Sequence, residues 1–310
     1  MRAIFLCLLV APAWAQPFPV QRCVNLDQAL EAPREGDWGY RIERGDIAWI
    51  ADQGFNTIRL PVRFNAHWDG ALSPQILARV DEVISWAAAE DLSVILDLHH
   101  FEALMRDPPG QAEKFAAIWT ELATHYAGYD DRLIFELLNE PSEALATDEA
   151  MRLFEAVLPT IRASNPDRWV IIEGGDWASV EALADLHQPD ARTALSFHYY
   201  VPWEFTHQMA PWMDAPPPPG RWGDKDDREI LRRDMALAGS YDAPVLLGEF
   251  GVTTPTDPSQ RARWTKAVRE EADAHGIGWC HWGLAGNFAI LDKTTQTWVP
   301  RMKDALISGH

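Results

Sequence analysis

Short apolar runs alternate with longer amphipathic stretches along most of the chain. The runs fall at residues 23–26, 57–60, 94–98, 133–138, 169–173, 194–198, 245–248 and 277–282. Each is continuous rather than alternating, the pattern of a parallel strand buried on both faces. The stretches between them carry helical periodicity. Ile76, Leu77, Val80, Val83 and Ile84 share one helical face, and Ser73 followed by Pro74 predicts a cap with proline at the first helical position. Thr147, Asp148 and Glu149 predict another helix start, with Asn165-Pro166 as its end, and Pro258-Ser259 precede a charged amphipathic pattern that stops near Gly276. Eight strands with helices between them predict a single (β/α)8 barrel of the α/β class. The segment "DAPPPPGRWG", residues 214–223, reads as a long loop at the barrel mouth. It is not an interdomain linker, because two strands that the barrel needs follow it.

The N-terminus has a different character. Arg2, the apolar run "AIFLCLLV" and the small-residue site Ala13-Trp14-Ala15 read as a secretory signal peptide, removed after about residue 15. The alternative is an uncleaved anchor, but the run is shorter than the ~20 apolar residues that span a bilayer. Residues 16–310 are then one catalytic domain, long enough for a large barrel.

Charge narrows the partners. The formal net charge is -19, which argues against nucleic acid, anionic lipid and acidic polysaccharide, since phosphate neutralisation needs clustered Lys and Arg. A neutral substrate is compatible with it. Cys7 leaves with the leader; Cys23 and Cys280 read as two small buried thiols, with a bridge between neighbouring strands as the alternative. No CxxC pattern points to structural zinc.

In such barrels the chemistry sits at the C-terminal ends of the strands. Those ends carry Arg59, His99-His100, Asn139-Glu140, His198-Tyr199-Tyr200, Glu249 and Trp282. Glu140 and Glu249 end strands four and seven at the same mouth, so they can face each other across it. Two carboxyl groups ~5 Å apart suit a retaining glycosidase and ~6.5–9.5 Å an inverting one. Glu136 shares the parity of Glu140 but lies roughly 13 Å deeper along the strand, too deep for chemistry, and reads as structural and paired.

The motifs "NTIRLPVRF", "LDLHHFE", "FELLNEP", "SFHYY" and "LLGEFG" resemble glycoside hydrolase family 5, the cellulase family of clan A, from about Cys23 to the C-terminus. "NLDQALEAPREGDWG" and "HYYVPWEFTHQMAPW" are similar to bacterial endoglucanases and glucanase/mannanases of that family. The resemblance implies Glu140 as acid/base and Glu249 as nucleophile, flanked by Arg59 and Tyr200, whose charge and hydrogen bond favour an ionised carboxylate. It implies Asn139 for the sugar 2-hydroxyl and Trp282 as the sugar platform, with Trp177 and Trp212 as further aromatic candidates. His99, His100, His198, His207 and Glu31 complete the expected polar contacts. Where relatives often read "NLGNALE" this chain has Asp27 and Gln28, and "GLAGNFAILD" replaces a bulkier polar segment after Trp282.

The expected activity is a secreted, retaining endo-β-1,4-glucanase, with β-mannan, mixed-linkage glucan and xyloglucan as alternative substrates. No cofactor, metal or obligate protein partner is expected. One rival is a metal-dependent barrel hydrolase, disfavoured because neighbouring strand residues such as His99 and His100 point to opposite faces. The other is a non-catalytic sugar-binding barrel.

Overall fold

The computed structural model describes residues 17–307. The segment read as a leader, residues 1–15, and the start of the mature chain at residue 16 lie outside these residues. Eight strands, β1 (Arg22–Asn25), β2 (Thr57–Val62), β3 (Ser93–Leu98), β4 (Leu133–Glu136), β5 (Val170–Glu173), β6 (Thr193–Tyr199), β7 (Val245–Phe250) and β8 (Gly278–His281), form a closed barrel in chain order. Every pairing is parallel, including β1 with β8. Each strand falls on one of the apolar runs, and β2, β3, β6 and β7 are buried at every position. That is the consequence of a barrel filled inside and wrapped outside by helices.

Helix starts follow local chemistry. Ser73 Oγ accepts from the Ile76 N–H at 3.3 Å, with Pro74 in the first turn. The helix Pro258–Ala274 is capped by Asp257, which accepts from the N–H groups of Ser259 and Gln260 at 3.0 and 3.1 Å. The helix Thr147–Ser164 is preceded by Ala146, and Thr147 serves elsewhere: its Oγ1 accepts from the Gly175 N–H at 2.8 Å and ties down the turn after β5. The segment 214–223 folds back so that Pro217 accepts from the Met209 N–H at 2.9 Å, which leaves Pro211 and Trp212 beside the mouth. Among the described residues no helix is long and apolar enough to cross a membrane.

Alternate residues of each strand point into the barrel, and they form layers. The floor is apolar, with Ile95, Ile134, Ile171, Ala194 and Leu246 beside Cys23 and Cys280. One step up, Asn25, Arg59, Asp97, Glu136, Glu173 and Ser196 form a buried polar layer. The reading of Cys23 and Cys280 as free thiols is corrected here. They are register partners across β1 and β8 and are joined in a disulfide, because barrel closure brings the first and last strands together.

Candidate active site

Arg59 organises the mouth from below. Its side chain is fully buried, and all of its N–H groups are used. Nε and Nη2 grip Glu136 at 2.8 and 2.7 Å. Nη1 donates to Asn25 Oδ1 at 2.9 Å and to Glu249 Oε1 at 2.6 Å. Nη2 also donates to Asn139 Oδ1 at 2.8 Å and lies 3.2 Å from Asp97 Oδ2. Glu136 is therefore the bidentate partner of Arg59, as its depth implied. Asn139 lines the mouth cavity, and with its carbonyl held by Arg59 its amide NH2 is left for a ligand.

Glu249 receives a second hydrogen bond, from the Tyr200 hydroxyl to Oε2 at 2.9 Å. Burial pushes its pKa up, and the charges of His198 and Arg59 oppose that rise without cancelling it. Arg59 acts in the direction expected of it, favouring the ionised form, and burial acts against it. Burial and the nearby Glu249 and Glu140 charges hold the Tyr200 phenol well above its usual range, so it stays a donor.

Glu140 lies just past β4 in a left-handed conformation, φ +49°. Its backbone N–H donates to Glu173 Oε2 at 2.7 Å, and its Oε1 lies 2.8 Å from His198 Nδ1. Its side chain is 28% exposed against 6% for Glu249, so solvent reaches it more readily. One oxygen of Glu140 and one of Glu249 lie within 4.8 Å of each other. His198 sits between them, with Nε2 2.8 Å from Glu173 Oε1, close but outside hydrogen-bond alignment. Burial acts to lower the pKa of His198, but Glu173, Glu249 and Glu140 hold it well above its usual value.

The carboxylate and histidine groups here also bear on a metal. Glu136, Glu173 and His198 converge, as do Glu140, His198 and Glu249. In the first group Glu136 is already gripped by Arg59, and in the second His198 Nδ1 lies 2.8 Å from Glu140 Oε1.

The mouth cavity has a volume of about 650 Å³. It is lined by Glu31, His99, His100, Asn139, Glu140, Tyr200, His207, Trp212, Glu249 and Trp282 from the sequence reading. His198 and Arg59 lie behind it. His99 donates or accepts at Asp97 Oδ2, 2.6 Å from its Nδ1. Its ring is parallel to Trp282, 5.7 Å away. Burial, with His100 and Arg59 nearby, holds its pKa well below the usual value. The argument that His99 and His100 face apart is corrected: the chain leaves β3 before them, and φ of +55° at His100 turns both rings to the same cavity.

Glu31 accepts from the Gln28 and Ala29 N–H groups, so it braces the loop after β1 while lining the cavity. His207 lies flat against Trp203 at 5.1 Å, and burial pushes its pKa down to about 4. Trp177 departs from expectation. It is 55% exposed and absent from the cavity wall; its backbone N–H donates to the Pro141 carbonyl at 3.1 Å.

Trp38 takes a place the sequence reading did not assign, lining the cavity with its ring edge-on to His100 at 5.9 Å. No periodicity marks an aromatic in a loop between Gly36 and Gly39. Glu173 was not singled out, though it ends β5 as Glu249 lies near the end of β7 and Glu140 lies beyond β4, and the same rule would have found it. Asp97 had no signal beyond a carboxylate inside an apolar run.

A family model described as cellulase (glycosyl hydrolase family 5) matches residues 22–287. Endoglucanase H of Acetivibrio thermocellus is 29% identical over 96% of this chain, which spans 34% of that relative's length. Endoglucanase A of Ruminococcus albus is 30% identical, covering 92% of this chain and 89% of its own. A solved structure of Thermotoga maritima Cel5A in complex with mannotriose superposes with a TM-score of 0.89 at 32% identity, over 93% of this chain and 97% of that one. With a closed parallel barrel, two facing glutamates at its mouth and a family match running through all eight barrel strands, this chain belongs to glycosyl hydrolase family 5, the cellulase family.

Proposed function

We propose that the protein is a secreted, retaining endo-β-1,4-glucanase whose residues 16–310 form one catalytic domain. The observation that carries the mechanism is the approach of the Glu140 and Glu249 oxygens to within 4.8 Å, near the ~5–5.5 Å spacing of retaining pairs. Glu249 attacks the anomeric carbon as Glu140 gives its proton to the departing glycosidic oxygen, forming a glycosyl ester on Glu249. Glu140, now a carboxylate, takes a proton from water, and the resulting hydroxide equivalent displaces Glu249 at the same carbon. Two inversions give net retention. Asn139 offers its amide to the 2-hydroxyl, and Trp282, Trp38 and Trp212 supply aromatic surface for sugar faces.

The endoglucanase relatives support β-1,4-glucan as the substrate. The mannotriose complex of Thermotoga maritima Cel5A supports β-mannan as the second reading, with mixed-linkage glucan and xyloglucan behind it. Secretion rests on the leader pattern at residues 1–15. The test is proton NMR of the first product from soluble cellulose derivative, glucomannan, galactomannan, barley-type glucan and xyloglucan. The β-anomer should appear before mutarotation, fastest on a β-1,4-glucan; an initial α-anomer would mean that Glu249 activates water instead.

A further inference from the structure

Glu173 is fully buried at the C-terminal end of β5, and nothing above gives it a part in the reaction. Its two oxygens hold different groups. Oε2 accepts from the Glu140 backbone N–H at 2.7 Å. Oε1 lies 2.8 Å from His198 Nε2 and accepts from Ser196 Oγ at 2.9 Å. The other ring nitrogen, Nδ1, lies 2.8 Å from Glu140 Oε1 and 3.6 Å from Glu249 Oε2. One carboxylate therefore reaches Glu140 twice, through its backbone and through an intervening imidazole.

Each contact meets a physical need. Glu140 is a non-glycine residue at φ +49°, a region that L side chains seldom adopt. It has left the strand ladder, and a buried N–H outside the ladder must find another acceptor. An imidazole wedged between two carboxyl groups keeps its charge through the cycle only if its far nitrogen also meets an anion.

We infer that Glu173 is a positioning residue for the hydrolysis: it fixes the backbone turn that aims Glu140, and it holds His198 as a cation between the two reacting carboxyl groups. The inference rests on the roles proposed above for Glu140 and Glu249. Burial acts to raise the pKa of Glu173, yet the charge and hydrogen bond of His198, then Arg59 and the Glu140 N–H, hold it down at about 2. The groups facing His198 are Glu140 beyond β4, Glu173 on β5 and Glu249 on β7, with Glu136 on β4 and His99 beyond β3 within electrostatic reach. Arg59 and Asp97 act on Glu173 from β2 and β3. Arg59 is committed to Glu136, Asp97 and Glu249, which leaves Glu173 as the carboxylate beside Nε2, at 2.8 Å.

Two variants separate the two tasks. In Glu173→Gln the amide oxygen can still accept from the Glu140 N–H, but its NH2 then faces Nε2 and favours the unprotonated nitrogen. Losing that cation raises the pKa of both reacting carboxyl groups. Both limbs of the kcat/KM profile on a soluble β-glucan should therefore move to higher pH, by about one unit or more. Glu173→Asp keeps the charge but is one methylene too short for both contacts. Its kcat should fall with KM little changed and the limbs in place. A Glu173→Gln enzyme that is merely slower, with unmoved limbs, would show a structural role and overturn the inference.

A measurement on the unmodified protein stands apart from the folding of any variant. Nitrogen-15 NMR of histidine-labelled enzyme should show both His198 ring nitrogens protonated near neutral pH, assigned by the signal's loss in His198→Asn. A neutral tautomer there also overturns the inference. Failure of the roles given to Glu140 and Glu249 would show instead in the alanine variants of those residues, leaving this signal unmoved.

Discussion

The Tyr200 hydroxyl donates to Glu249 Oε2 at 2.9 Å while Arg59 holds the other oxygen at 2.6 Å. The carboxylate is thus oriented by two donors, one on β2 and one just beyond β6. A hydrogen bond to a charged group is worth about 1.5–3 kcal/mol. Tyr200→Phe should then lower kcat by about 10- to 100-fold, with little change in KM, because the phenol acts on Glu249 rather than on remote sugars. Steady-state kinetics on a soluble β-glucan give the answer; an unchanged kcat would remove Tyr200 from the mechanism.

Arg59 is a stability residue as well as a site residue. Glu136 and Asp97 around it have fully buried side chains. Arg59→Met strands these carboxylates, and breaking a buried pair from one side costs about 3–5 kcal/mol. Urea unfolding should show the loss. Arg59→Lys should recover only part of it, since one ammonium cannot span Glu136, Glu249, Asn25 and Asn139 together.

The two glutamates should fail differently. Glu249→Ala removes the covalent step and should abolish turnover on every substrate. Glu140→Ala removes proton donation, worth ~10²–10⁴-fold on a sugar leaving group. An aryl glycoside with an acidic phenol departs unassisted, so its first step should survive and the glycosyl-enzyme accumulate. Azide needs no base and should speed turnover of Glu140→Ala, yielding a β-glycosyl azide. An α-azide from Glu249→Ala, with Glu140→Ala unresponsive, would reject the assignment.

Asp27 and Glu31 predict how stability depends on pH. Burial raises Asp27 from 3.8 to about 7, and burial with the Asp27 charge raises Glu31 from 4.5 to about 8. Between those values the folded state keeps protons that the unfolded chain has released. Stability is therefore full below the ordinary carboxylate range and declines as pH rises through about 7 and 8. For Asp27 the shift from 3.8 to about 7 corresponds to on the order of 4 kcal/mol. Thermal melts should give a lower Tm at mildly alkaline than at mildly acid pH, and Asp27→Asn should flatten that difference. A slope untouched by the substitution would place the titration elsewhere.

Endo-action is expected of the β-1,4-glucanase proposed above, although long segments follow β1 (residues 26–43) and β8 (residues 282–301) as well as β6, and bring Trp38 and Phe288 to the cavity wall. Viscosity of a soluble β-glucan should fall well before reducing ends accumulate. Release of only mono- or disaccharide from the outset would contradict this.

The strands, their order and the residues at their ends were legible in the chain itself. A strand buried on both faces must be apolar throughout, so "LIFELLNEP" and "PVLLGEFG" declare where the apolar run stops and where Glu140 and Glu249 stand. Side-chain alternation likewise put Glu136 on the inward face below Glu140, where Arg59 meets it. What meets across the barrel was not legible, because local periodicity carries no information about closure. Cys23 and Cys280 are 257 residues apart, and only the β1–β8 pairing joins them. Loop conformation was hidden for a different reason: left-handed residues, one at His100 and three in a row at residues 176–178, redirect side chains without any change in pattern. That is why His100 turns into the cavity and Trp177 stays outside it. Trp38 is carried into the site by a loop, whereas Glu173 ends β5 where the strand-end rule applies, and only the neighbouring β6 shows that it meets His198.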